Sequence, residues 1–337
     1  MDREGKILRL GAAVIVCATL LRLAGGGFQQ VAAYLPEGED LLSLAVFLQS
    51  GYVLRWEEKQ EETLPVSTEP QPEPTQPTPA IPTPQPLTLT AQQLQAVQLQ
   101  NGTQAQVDIL ALAAEDITWQ LRGETPTELI LHTHATESYT QTEDYTESTG
   151  YRTLDEGYNM VSVGELVALR LEEAGIRVIH DRTAYDYPSY SGSYNQARQA
   201  VTRYLAENPS IRLVLDLHRD AMEDGNGNQL SYTRETDRGT AAKLMIVCGS
   251  DTGGLDYPNW RENLGLGIRL QAVLEQQTPG LCRPLSLRTG RYNQDLFSNM
   301  LLIEVGSAGN TRQQALVAAE ELAEAIIAIA DGIEIEG

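Results

Sequence analysis

Four short apolar runs that each end in ionisable residues constrain this chain more than any other feature of its sequence. They are "LILHTHATE" from Leu129, "IRVIH" from Ile176, "IRLVLDLHRD" from Ile211 and "MLLIEVG" from Met300. Runs of this length and composition read as buried strands, with the polar residues at or just past the strand end. Between them apolar residues recur at helical spacing. Val163, Leu166, Val167, Leu171 and Ala174 stop at Gly175, a residue suited to the left-handed position that closes a helix. Ala197, Ala200, Val201, Tyr204 and Leu205 mark a second helix, closed by "NPS". "AKLMIVCG" and "LCRPLSL" read as further strands, "NWRENLGLGIRLQAVLEQQ" as a helix, and Thr311 to Ala330 as the closing helix. Strands separated by helices predict an α/β domain with a single, largely parallel twisted sheet covered by helices on both faces.

This domain is expected over residues 88–337, because what precedes it has a different composition. Residues 57–87 include "EEKQEETLPVSTEPQPEPTQPTPAIPTPQP", a tract of Pro, Gln, Thr and Glu with almost nothing to bury. It reads as a disordered, extended linker tending to polyproline II. Residues 1–27 hold "KILRLGAAVIVCATLLRLAGGG", in which Lys6 and Arg9 precede an uncharged apolar run from Leu10 to Leu21. That run is short for a bilayer span, but Arg9 and Arg22 can snorkel toward the two interfaces. It is expected to be a signal anchor, a single N-terminal pass that leaves the larger domain outside the cytoplasm. Residues 28–56 form a juxtamembrane segment with no assigned role. A net charge of −22 argues against nucleic acid as a partner, since phosphate binding needs a basic face. Cys248 and Cys282 fall in strands and read as buried free thiols, with a disulfide between them as the alternative.

In open α/β sheets ligands collect at the carboxyl ends of the strands. Three strand ends carry reactive groups there: His132, His134 and Glu137; Asp216, His218, Arg219 and Asp220; and Glu304. A sheet core has no use for such groups unless they are paired or bound. His134 and Glu137 form an H-x-x-E pair that reaches one point from a tight turn. His218 from a distant strand would complete a two-histidine, one-carboxylate set with an open position, as in catalytic zinc sites, where bound water has a pKa of ~7. Glu304 is then expected to be the general base. His132 is the alternate to His134, and Asp155 or Glu156 are alternates to Glu137. His180 reads as structural.

Five stretches, "LILHTHATESY", "VGELVALRLEEAGIRVIHDRTAYDYPSYSGSYNQAR", "IRLVLDLHRDA", "NWRENLGL" and "RYNQDLFSNMLLIEVGSAGNT", resemble the stage II sporulation protein P family in order and spacing. The likeness runs from about Gln100 to the C-terminus. The broader kin it implies are zinc-dependent N-acetylmuramoyl-L-alanine amidases, whose pattern is similar at His134, His218 and Glu304 and favours Glu156 as the second ligand. The H-x-x-E spacing resembles instead zinc carboxypeptidases and favours Glu137.

The resemblance implies an amidase or zinc-carboxypeptidase-like hydrolase fold that cleaves peptidoglycan at the N-acetylmuramoyl-L-alanine amide, with endopeptidase action on stem-peptide crosslinks as a second activity. It implies a setting in sporulation, thinning septal wall during engulfment beside the stage II proteins D and M. Arg219 is expected to stabilise the oxyanion or orient Glu304. Asn293 and Gln294 of "YNQD", and the tyrosines from Tyr139 to Tyr194, are candidate substrate contacts. Two competing functions are a zinc carboxypeptidase on stem peptides, with Arg198 or Arg219 holding the terminal carboxylate, and an inactive wall-binding scaffold.

Overall fold

The computed structural model describes residues 86–114, 120–143, 145–146 and 150–336. The expected anchor, the juxtamembrane segment and all of the linker but residues 86–87 lie outside the described residues. Among the described residues there are eleven strands: β1 (Leu87–Thr90), β2 (Leu99–Asn101), β3 (Glu128–Leu131), β4 (Val178–His180), β5 (Leu213–Asp220), β6 (Thr233–Thr236), β7 (Gly239–Ala242), β8 (Leu244–Cys248), β9 (Leu285–Leu287), β10 (Met300–Ser307) and β11 (Ile333–Glu336). The helices are α1 (Ala91–Gln95), α2 (Ile109–Ala114), α3 (Met160–Glu173), α4 (Ser193–Glu207), α5 (Trp260–Gln277) and α6 (Arg312–Ile329). Among the described residues no helix is long and apolar enough to cross a membrane.

Seven strands form the central sheet in the order β2-β9-β8-β10-β5-β3-β4. Every neighbouring pair is parallel except β8 with β10. The antiparallel junction departs from the uniform direction that alternating strands and helices suggest. Its cause lies between β5 and β8, where the chain forms the β6–β7 hairpin in place of a crossover helix. A parallel return needs such a crossover, so the chain re-enters the sheet running the opposite way. A separate parallel pair, β1 with β11, ties the start of the domain to its end through Leu87 and Ile333.

Side chains alternate across the strands and so build two cores. Ile130, Leu215, Leu217, Leu301 and Ile303 face one way and pack with α3, α5 and α6. Leu129, Leu131, Val214 and Met300 face the other way and meet Ala197, Ala200 and Val201 of α4. Both faces are therefore covered, one by three helices and one by a single helix. Thr311 starts α6 with a capping box shared with Gln314. Cys248 and Cys282 are both free thiols, so the alternative of a disulfide does not hold.

Candidate active site

Strands β3, β5 and β10 lie side by side and run the same way, so their carboxyl ends come together at one edge of the sheet. Glu304 stands beside His218 in the register of β10 with β5. After Glu304 the register shifts, because β10 uses three residues to reach Ser307 where β5 uses two to reach Asp220. This bulge passes through Gly306, whose φ of 73° is costly for any other residue and where a Cβ would lie 2.7 Å from the Ala242 Cβ.

The turn after β3 is held by the strands beside it. The Asp216 carboxylate accepts from the Thr133 amide at 2.8 Å and from its hydroxyl at 2.6 Å. Asp186 accepts in the same way from Thr136, at 3.3 and 2.5 Å. With both threonines fixed, and the Glu137 amide donating to the His134 carbonyl at 3.1 Å, the H-x-x-E turn carries His134 and Glu137 toward β5. The His134 and His218 rings meet edge to face with centroids 5.2 Å apart, and Glu137 Oε2 lies 3.6 Å from His218 Nδ1. On the other side of the His218 ring, Nε2 lies 2.9 Å from Asp216 Oδ1.

These groups and Glu304 are all buried. Burial pushes the His134 pKa down to about 3, helped by the neighbouring His218. It also opposes charge on His218, but Asp216, Glu137 and Glu304 outweigh it and raise that imidazole to about 9. Burial raises the Glu304 carboxyl to about 8 against the pull of His218. His134 Nδ1 and Glu304 Oε2 have no hydrogen-bond partner, and His218 Nε2 meets Asp216 without hydrogen-bond alignment. Buried polar atoms without partners are costly and call for a ligand. Two imidazoles and a carboxylate are the donor types of catalytic zinc. Among the described residues no group of three or more His, Cys, Asp or Glu side chains is placed to hold a metal ion.

The alternates lie elsewhere. His132 points to the opposite face of β3, where Nδ1 meets the Leu217 carbonyl at 3.0 Å and Nε2 meets His180 Nε2 at 2.9 Å. Gly164 of α3 leaves room for this pair, since a Cβ there would lie 2.6 Å from His132 Nε2. Glu156 is exposed and pairs with Arg182 at 2.6 Å.

Three expected roles need correction. Arg219 is buried; its guanidinium donates to the carbonyls of Ser138 and Tyr151 at 2.9 and 2.8 Å, and its backbone amide donates to Glu137 Oε2 at 3.2 Å. It holds Glu137 in place and has no access to an oxyanion. Tyr139 has no exposed surface, and its hydroxyl donates to the Val305 carbonyl at 2.8 Å. Gln294 is fully buried, donating to the Val247 carbonyl and accepting from the Gly249 amide, both at 2.8 Å. Neither can touch a substrate. Asn293, 7% exposed, donates to the Tyr194 carbonyl at 2.8 Å.

Asp216, Tyr190 and Arg152 complete the surroundings of the two histidines. Asp216 and His218 are two apart in "DLH", the strand period that puts both on one face. Tyr190 stacks on His134 with centroids 4.3 Å apart, and the Arg152 guanidinium lies 4.7 Å from the Tyr190 ring centre. Arg152 also bridges Asp186 at 2.7 Å and Glu137 at 3.4 Å.

The family model of stage II sporulation protein P (SpoIIP) matches residues 53–327, which includes every residue of this cluster. The chain belongs to the stage II sporulation protein P family. The stage II sporulation protein P of Bacillus subtilis (strain 168) is 28% identical over 225 residues, covering 63% of this chain and 53% of that protein. The chain thus spans about half the length of the curated relative it matches. Among solved structures, N-acetylmuramoyl-L-alanine amidase AmiC2 of Nostoc punctiforme is similar at 13% identity and a TM-score of 0.36, covering 61% of this chain and 97% of that one. The CwlD amidase from Clostridioides difficile, solved in complex with the GerS lipoprotein, gives 13% identity and a TM-score of 0.36 over 61% and 94%.

Proposed function

We propose that this SpoIIP-family chain is a zinc-dependent peptidoglycan hydrolase that cleaves the amide between N-acetylmuramic acid and the L-alanine of the stem peptide. The observation that carries this reading is the convergence of His134, Glu137, His218 and Glu304 at three adjacent strand ends, with buried donor atoms lacking partners. His134, Glu137 and His218 would hold zinc, whose contribution there is Lewis acidity toward the amide carbonyl and acidification of water. Asp216 lies against the far nitrogen of His218, leaving Nδ1 toward Glu137, and the Arg219 amide donates to Glu137 Oε2 and steadies that carboxylate. Glu304 takes a proton from the attacking water and returns it to the amine as the C–N bond breaks. Its carboxyl, raised to about 8, exchanges protons readily near neutral pH. Tyr190 covers one face of His134 and limits water there.

Two features weigh against a carboxypeptidase. Arg198 is engaged with Asp295 at 2.8 and 2.6 Å, and Arg219 is engaged with backbone carbonyls, so neither expected anchor for a terminal carboxylate is open. The assembled groups also suit an enzyme better than an inactive scaffold. Family membership supports a setting in sporulation, with the stage II proteins D and M as partners, action on crosslinks as a second activity, and an N-terminal anchor placing the domain outside the cytoplasm.

The test is solubilisation of labelled peptidoglycan by the purified chain. Chelator, Glu304→Gln and His218→Ala should each abolish release, and zinc should restore only the chelated wild type. Undiminished release by Glu304→Gln would remove the general base from the scheme.

A further inference from the structure

With Arg219 buried against backbone carbonyls and Arg152 bound to Asp186 and Glu137, neither arginine near the site is open to a developing oxyanion. Tyr194 occupies the remaining side of the cluster. It is the second residue of α4, in the "SGSYNQAR" stretch that leads from an exposed loop into the helix. Its ring meets the His134 ring edge to face at 5.5 Å, lies nearly parallel to the His218 ring at 6.4 Å, and contacts Tyr292 at 6.1 Å. Two imidazoles and a second tyrosine therefore fix the ring from three directions. The backbone is fixed as well, because Asn293 in its left-handed conformation donates to the Tyr194 carbonyl.

The hydroxyl has no hydrogen-bond partner among the described residues, and Asp216, Glu304 and Glu137 all lie within electrostatic reach of it. A fixed O–H donor on a half-buried ring that touches both histidines, with no acceptor from the protein, is placed to meet a substrate oxygen.

We propose that the Tyr194 hydroxyl donates a hydrogen bond to the carbonyl oxygen of the scissile amide and strengthens that bond as the oxygen gains negative charge. This rests on the hydrolase reading above. The hydroxyl keeps its proton throughout, and no covalent bond forms or breaks at Tyr194. The contact selects an acyl group whose oxygen can lie between the Tyr194 ring and the two histidines, with the nitrogen leaving toward Glu304. Asn293 is a positioning residue that acts through the Tyr194 backbone.

Tyr194→Phe keeps the ring contacts and removes only the donor, so the full chain carrying it is compared with wild type and Glu304→Gln on peptidoglycan fragments. The expected result is a fall in kcat of about 100-fold or more, with KM, thermal midpoint and the position of the pH–rate profile unchanged. A kcat within about threefold of wild type, beside an inactive Glu304→Gln, overturns the inference while the hydrolase reading stands. A kcat restored by shifting pH also overturns it, because Tyr194 would then act through Glu304. If wild type releases no stem peptide, the hydrolase reading fails and takes this inference with it.

Discussion

Glu304 and His218 are paired in parallel register on β10 and β5, and the bulge in β10 begins directly after that pair. The position of Glu304 therefore depends on a backbone shape that Gly306 makes possible. A Cβ at residue 306 would lie 2.7 Å from the Ala242 Cβ and 3.0 Å from Asn310 Oδ1, at a positive φ. Gly306→Ala is expected to lower stability by about 1–3 kcal/mol and to lower hydrolysis at least to the fraction that remains folded. Urea unfolding and hydrolysis measured together check this, and wild-type values in both would contradict the role given to the bulge.

Glu137 and Glu156 separate the two candidate ligand sets cleanly, because one faces His218 and the other faces solvent. Removing Glu137 should weaken zinc binding by more than the ~10–100-fold loss typical when a partner behind a ligand is removed, and Asp216→Asn should show a loss in that smaller range. Glu156→Gln should bind zinc as wild type does. Competition with a chromogenic chelator gives all three affinities, and a loss at Glu156 equal to that at Glu137 would reverse the assignment.

Glu128 of β3 is fully buried with neither carboxylate oxygen partnered, and burial raises it to about 8 from an ordinary 4.5. The folded state therefore holds this proton more tightly than the unfolded state does. Its contribution is most favourable below pH 4.5, falls as pH rises from 4.5 to 8, and levels off above that. Between these limits the ionisation penalty reaches about 3 kcal/mol at pH 7. Glu128→Gln, which cannot ionise, should be more stable than wild type by about that amount at pH 7 and equal to it near pH 4. Denaturant midpoints at the two pH values test this, and a difference independent of pH would show that Glu128 is not the titrating group.

Much of the site could be read from residue type and place. His134, Glu137, His218 and Glu304 stand where apolar runs stop, and the chain's topology brings three strand ends together as an α/β pattern implies. The direction of β8 could not be read, because a period of two has no sense of direction and the β6–β7 hairpin left no strong signal. Tyr139 and Gln294 looked like substrate contacts because they flank the site in sequence, yet each is buried by packing from elsewhere: Val305 over Tyr139, Val247 and Gly249 around Gln294. Arg219 follows His218 directly, so alternation along β5 sends it away from the imidazole and toward the carbonyls of the loop after β3. Tyr194 lay within a run of tyrosines, and only the contacts with both histidines set it apart.

The bond that is cut distinguishes an amidase from a carboxypeptidase or an endopeptidase. The most direct measurement is the mass and N-terminal residue of the smallest soluble fragments released from purified peptidoglycan by the full chain. Free stem peptides beginning at L-alanine are expected, absent with chelator and absent with Glu304→Gln. Release of D-alanine alone, or of crosslink products whose stem peptides remain attached to muramic acid, would contradict the amidase reading.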